Sequence, residues 1–243
     1  MGELAEGEMS NTDVATIMAI GGHVGDMELT CGGVLATRAL RGDRIVTVAL
    51  TAGEKGNPPD VSIDEYRSRK VSEATKFAER LGGEAVVFPY PDGQLPVNDE
   101  VSFKLCDAIR SYKPSVLITH WKRSIHQDHT ATHELVHRAQ LYAALAGFER
   151  QAPAHFAGGP YYAENWEDPF EFVPTVYHRV SPEGFELWRD AITLHWFTIH
   201  SAGFEYREYY THLMSVRGIE ARTTYAQAFD LPPMSKRRVV DEL

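Results

Sequence analysis

The chain reads as an α/β protein: a mainly parallel, doubly wound sheet with helices on both faces. Three observations predict this. Four apolar strand-like runs are each followed, after a short connection, by a helix-like stretch, and that alternation builds parallel sheets through right-handed crossovers. The second run, RIVTVALTAG from Arg44 to Gly53, is almost continuously apolar, as a parallel strand buried on both faces should be. Every cluster of histidine and carboxylate residues falls just after a strand, where open α/β sheets bind ligands.

Taken in order, residues 1–12 are acidic and lack periodicity, which predicts a flexible arm. A single domain is expected over 13–230, with a tail over 231–243. Its first strand runs from Val14 to Gly21 and opens the stretch IMAIGGHVGDMELTCGGVLA, Ile17 to Ala36. Helical spacing follows from Glu28 to Leu40 and stops at Gly42, a C-cap residue. After the strand at 44–53, the Gly and Pro of EKGNPPD predict a loop at Glu54 to Asp60. A charged helix is expected from Ser62 to Leu81, then a strand from Ala85 to Phe88, a helix from Asp99 to Tyr112 and a strand from Ser115 to Thr119. Another helix should run from His129 to Phe148. Residues 149–174, rich in Pro, Gly and aromatics, suit a surface excursion. A strand at Thr175 to Val180, a helix from Pro182 to His200 and a helical stretch from Glu205 to Gly218 complete the reading.

Composition narrows the partners. At 243 residues the chain suits one α/β domain, and 43% hydrophobic with 24% charged residues is ordinary for a soluble protein. A formal net charge of −10 works against nucleic acid, whose phosphates are bound by Lys and Arg. No apolar run approaches the ~20 residues of a membrane span, and the start has no signal-peptide pattern. A cytoplasmic protein with a small-molecule substrate, no nucleic acid and no membrane partner is expected. Two cysteines, Cys31 and Cys106, exclude a disulfide framework.

The informative residues are histidines and carboxylates. His23 and Asp26 follow the first strand, Glu54 the second, Asp92 the third, and His126, Asp128 and His129 the fourth. A catalytic zinc site uses three His/Asp/Glu ligands and keeps a position open for water. His23, Asp26 and His129 supply that set. His126 is then free to face a substrate, with Asp128 close enough to orient its ring and favour the imidazolium. His133 and His137 continue at four-residue spacing but lack the H-E-x-x-H pattern and read as structural; Cys31 reads as core. The aromatics from Phe156 to Trp166, with Trp121, Trp188 and Trp196, offer either a sugar-stacking wall or core packing. Lys122, Arg123 and Arg67 would make the pocket locally positive.

The stretch GHVGDMELTCGGVLA, Gly22 to Ala36, resembles without a gap the opening signature A-H-P-D-D-E-E-L-G-C-G-G-T-L-A of the LmbE-like, or PIG-L, deacetylases. His126-Gln127-Asp128-His129 matches their H-P-D-H, and TAGEKG, PDG and YAQAF are softer matches. The resemblance implies a Rossmann-like fold, a zinc-dependent hydrolase removing acetyl groups from N-acetylglucosaminyl-type substrates, and homo-oligomers. It implies His23, Asp26 and His129 as zinc ligands, His126 and Asp128 as the oxyanion-stabilising and proton-donating pair, and Arg67, Asp92 and Glu54 near substrate. One departure stands out: the Asp that serves the family as general base is Gly25 here, and the following Glu is Met27. The favoured expectation is hydrolysis with a relocated base, Glu54. The alternatives are zinc-dependent hydration of an unsaturated carboxylic acid and ligand binding with weak catalysis.

Overall fold

The structure, a computed structural model, describes residues 14–237. The expected arm at 1–12 and the outer part of the expected tail lie outside the described residues; within the tail, Pro233–Lys236 form a 3-10 turn. Among the described residues seven strands make one sheet: β1 (Thr16–His23), β2 (Arg44–Thr51), β3 (Glu84–Tyr90), β4 (Val116–Thr119), β5 (Gly158–Ala163), β6 (Val176–Val180) and β7 (Tyr225–Asp230). Their spatial order is β3-β2-β1-β4-β5-β7-β6. The first five run parallel, while β7 is antiparallel to both β5 and β6. The mainly parallel, doubly wound α/β fold is the one the sequence predicts.

Successive side chains of a strand point to opposite faces, and β1 shows it. Ile17 and Ala19 enter a core with Leu35, Phe77, Trp188 and Met214. Met18 and Ile20 enter a second core, on the other face, with Leu105, Ile109, Leu135 and Val136. The helices are α1 (Asp26–Thr30), α2 (Gly32–Ala39), α3 (Ile63–Arg80), α4 (Asp99–Tyr112), α5 (Gln127–Ala144), α6 (Pro182–Ala191), α7 (Phe197–His200) and α8 (Tyr206–Glu220). Side-chain caps fix several starts, as Ser62 accepts from Glu65 N and Asn98 from Val101 N. No helix of the described residues is long and apolar enough to cross a membrane.

Four elements differ from expectation. The single helix at 28–40 is two helices broken at Cys31, whose φ of −131° and ψ of 7° leave the helical region. The Gln227 amide accepts from Val34 N at 2.8 Å and donates to Thr30 O at 3.0 Å, so groups the break exposes are satisfied from β7. Gly32 permits the close packing there, since a Cβ would lie 2.5 Å from the Trp188 ring. The helix at 182–200 is likewise broken, with a 3-10 turn at Ile192–Leu194 before α7. The excursion at 149–174 contains β5, and β7 lies beyond the last expected helix.

Candidate metal centre

β1 and β4 lie side by side, and both end in histidine: His23 closes β1 and His120 follows β4. Gly21 and Gly22 keep this corner narrow, as a Cβ on Gly22 would sit 3.2 Å from the His129 ring. Asp26 opens α1, and His129 stands in the first turn of α5.

Three donor atoms meet here. His23 Nδ1 lies 3.2 Å from Asp26 Oδ2, His129 Nε2 lies 3.2 Å from the same oxygen, and the two nitrogens are 3.3 Å apart. The near-equilateral triangle brings together residues 106 apart in sequence. Charge explains why a cation belongs in it. Burial opposes an imidazolium at His23, yet Asp26 and hydrogen bonds to Asp128, Asp26 and Asp92 hold its pKa well above the usual value. Burial likewise opposes charge on His129, while Asp26 and Asp168 raise its pKa to about 9. Asp26, despite burial, is held well below the carboxylate range by His129 and His23.

The surrounding shell orients these ligands. Asp92 Oδ1 and Asp128 Oδ2 lie 3.1 Å and 3.3 Å from His23 Nε2, leaving Nδ1 for a metal. Asp168 is 1% exposed and faces His129 Nδ1 at 3.5 Å and His120 Nδ1 at 3.7 Å. Burial works against its ionisation, but the two histidines lower its pKa to about 2. His120 stacks on His129 at 3.9 Å and reaches Asp26 Oδ2 at 3.0 Å. The sequence reading passed over His120 and Asp168. The end of β4 flagged the first by the same rule as His23; the second, inside an irregular loop, carried no signal.

The centre forms one wall of a cavity of about 510 Å³. His23, Asp26, Asp92, His126 and Glu167 line it on the acidic side, and Trp166, Trp196, Phe197, Tyr66 and Tyr206 line it elsewhere. Of the expected aromatic wall, Trp166 and Trp196 reach the cavity, whereas Trp188 is core. His126 caps α5, and its Nδ1 accepts from Asp128 N at 3.2 Å, so the neutral ring carries its proton on Nε2. Burial, then the positive charges of His23 and His129, lower its pKa.

Three expected roles need correction. The Asp128 carboxylate does not orient His126; it accepts from Gly93 N at 2.7 Å and Leu95 N at 3.3 Å and faces His23. Glu54 Oε1 accepts from Arg67 Nη1 and Asp92 N, both at 3.0 Å, and neither Glu54 nor Arg67 lines the cavity. Their ion pair holds the Asp92 loop from behind. Lys122 and Arg123 pair with Glu171, away from the cavity lining.

Residues 18–140 match the family model described as PIG-L, GlcNAc-PI de-N-acetylase. The uncharacterized deacetylase YaiS of Escherichia coli (strain K12) is 29% identical over 192 residues, covering 74% of this chain and 89% of that protein. Among solved structures, GalB, the 4-carboxy-2-hydroxymuconate hydratase of Pseudomonas putida KT2440, superposes with a TM-score of 0.83 at 20% identity, covering 95% of this chain and 100% of that one. The N,N'-diacetylchitobiose deacetylase of Pyrococcus horikoshii gives a TM-score of 0.79 at 19% identity, with 94% and 88% covered. With the family model spanning 123 of 243 residues (18 through 140), the metal-binding corner included, the chain belongs to the PIG-L family of LmbE-like deacetylases.

Proposed function

We propose that this protein is a zinc-dependent hydrolase that removes an acyl group from the amide of a small molecule such as an N-acetylated sugar. The triangle of His23 Nδ1, Asp26 Oδ2 and His129 Nε2 carries the reading. Zinc with N and O ligands at ~2.0–2.1 Å places tetrahedral donors about 3.3 Å apart, which fits the 3.2–3.3 Å sides observed. When bound there, zinc polarises a carbonyl and lowers the pKa of water.

The protein's own groups supply the rest. His126, with its proton on Nε2, is placed to donate a hydrogen bond to the carbonyl oxygen as negative charge develops, while the proton that Glu167 takes from the attacking water is the one passed to the departing amine. Glu167 takes the part of proton acceptor. Its carboxylate lines the cavity 3.7 Å from His129 Nε2, and burial raises its pKa, which makes it the stronger base. Glu54 is assigned a positioning role through the Asp92 loop.

Amine release from a panel of N-acetyl compounds tests the proposal. Glu167→Gln should lower turnover about 10²–10⁴-fold, whereas Glu54→Gln should weaken it less. The reverse ranking would return the base to Glu54, and no release from any compound would remove the hydrolase reading. The hydratase alternative draws on the missing acid at Gly25 and on the likeness to GalB. Its test is uptake of water by an unsaturated acid in the absence of amine release.

A further inference from the structure

Lys70, on α3, is a buried charge that the proposed chemistry leaves without a task. It is 5% exposed and is the one Lys or Arg among the described residues lining the cavity. Its ammonium donates to Val24 O at 2.7 Å and lies 4.0 Å from the centre of the Phe197 ring. Among the described residues no carboxylate stands within 4.0 Å of it. An ammonium has three N–H donors, and one carbonyl and one ring face do not use them all. Burial disfavours its charge and outweighs Asp26, Glu73, Glu28 and Asp92, which favour it from beyond contact distance, and a buried cation with no anion in contact is costly unless something completes its shell.

Its position is as telling as its isolation. A Cβ on Gly53 would touch His23 Cβ at 3.1 Å and Lys70 Cε at 3.6 Å. A Cβ on Gly25 would lie 3.8 Å from Lys70 Nζ. The ammonium therefore abuts the loop that carries His23 and Asp26, on the side where Gly25 replaces an acid. Of the other ionisable groups of the lining, Asp26, Asp92 and Glu167 are acidic and His23, His126 and His200 are histidines, so Lys70 is the one lysine or arginine beside the metal centre among the described residues.

We propose that Lys70 binds a carboxylate of the substrate, next to the acyl group presented to the metal centre, so that the enzyme acts on anionic N-acyl compounds rather than neutral ones. The inference rests on the amide-hydrolase reading only for the bond that is broken. The carboxylate contact stands on Lys70 and the cavity.

Calorimetric titration of the zinc-loaded protein with N-acetylated amino sugars and amino acids, each as free carboxylate and as carboxamide, tests it. The wild-type protein should bind at least one carboxylate about 10- to 100-fold tighter than its carboxamide, the range of a charge-assisted hydrogen bond. Lys70→Met should equalise the pair at unchanged zinc content, and Lys70→Arg should keep most of the preference. Absence of any preference in the wild-type protein, or its survival in Lys70→Met, overturns the proposal. If Lys70→Met does not fold, reductive methylation of wild-type Lys70 decides: the carboxylate should slow it and the carboxamide should not, and equal rates overturn the proposal. Amine release measured alongside separates the two readings. A carboxylate bound through Lys70 without amine release supports this inference and sinks the hydrolase reading, whereas hydrolysis of neutral compounds with no carboxylate preference does the opposite.

Discussion

One carboxylate oxygen, Asp26 Oδ2, has three imidazole nitrogens within 3.0–3.2 Å, those of His23, His120 and His129. Asp26 is also the leading group that raises the pKa of both His23 and His129 against the effect of burial. Asp168 stands behind two of these rings, 3.5 Å from His129 Nδ1 and 3.7 Å from His120 Nδ1, with Ser124 Oγ at 3.2 Å from His129 Nδ1. Asp168→Asn should therefore weaken zinc affinity about 10- to 100-fold, measured by competition with a chelator; unchanged affinity would deny it a supporting role. Gly25 shows a different constraint. Its φ of +107° is a left-handed conformation costly for other residues, and a Cβ there would lie 2.6 Å from Phe197 Cζ. Restoring an acid at this site thus needs more than one change. Gly25→Asp should lower stability by about 1–3 kcal/mol in thermal or urea unfolding and yield no faster turnover. Gly25→Asp with Phe197→Ala should recover part of the loss by relieving the overlap. The ligands were legible in sequence because each follows a strand end. The blocked space at Gly25 was not, because Phe197 arrives from 172 residues away (197 less 25).

Helix continuity is where periodicity and structure part. Apolar spacing runs unbroken through Cys31 and through residues 192–196, yet both helices stop there because side chains compete for the backbone: Gln227, from far along the chain, at the first break, beside close packing on Trp188, and Thr198, whose hydroxyl donates to Ile192 O and His195 O, at the second. The strands β5 and β7 were hidden for a related reason. Gly and Pro dominate the start of β5, and neighbours supplied by the rest of the sheet, not local propensity, define it. In the second broken segment His195 is fully buried beside Phe77 and Phe197, with neither ring nitrogen hydrogen-bonded. Burial, then the Lys70 charge, lowers its pKa from 6.5 to about 3. The unfolded chain takes up a proton below pH 6.5 while the folded one refuses it until about pH 3, so this group removes stability progressively as pH falls through that window. At pH 4.5 the loss is on the order of 3 kcal/mol. His195→Leu should flatten the acid limb of a stability profile measured by urea unfolding between pH 8 and 4.5, with little change at pH 8. A parallel acid limb in the variant would show that other groups set it.

At the level of the whole molecule, β1 is central in both senses. It pairs with β2 on one side and β4 on the other, and its carboxyl end brings the loops after β1, β2, β3 and β4 to one corner. That arrangement was readable from the strand-helix alternation, because parallel strands send all their following loops to the same edge. The fifth contribution, Glu167 and Asp168 after β5, was not, since the strand itself went unread. The metal ligands consequently join α1, beside β1, to α5 on the opposite face of the sheet. A metal bound there stabilises only the folded arrangement, by RT ln(1 + [L]/Kd), about 4 kcal/mol at a thousandfold excess over Kd. Removing the metal should also leave Asp26, Asp92, Asp128 and Glu167 facing one another with only histidine protons between them. Chelation should therefore lower the melting temperature of the wild-type protein by several degrees, and zinc should restore it. The same treatment should leave His129→Ala unmoved, because that variant has lost one corner of the triangle. A His129→Ala protein that still gains stability from zinc would place the metal elsewhere, with His120 the first residue to examine.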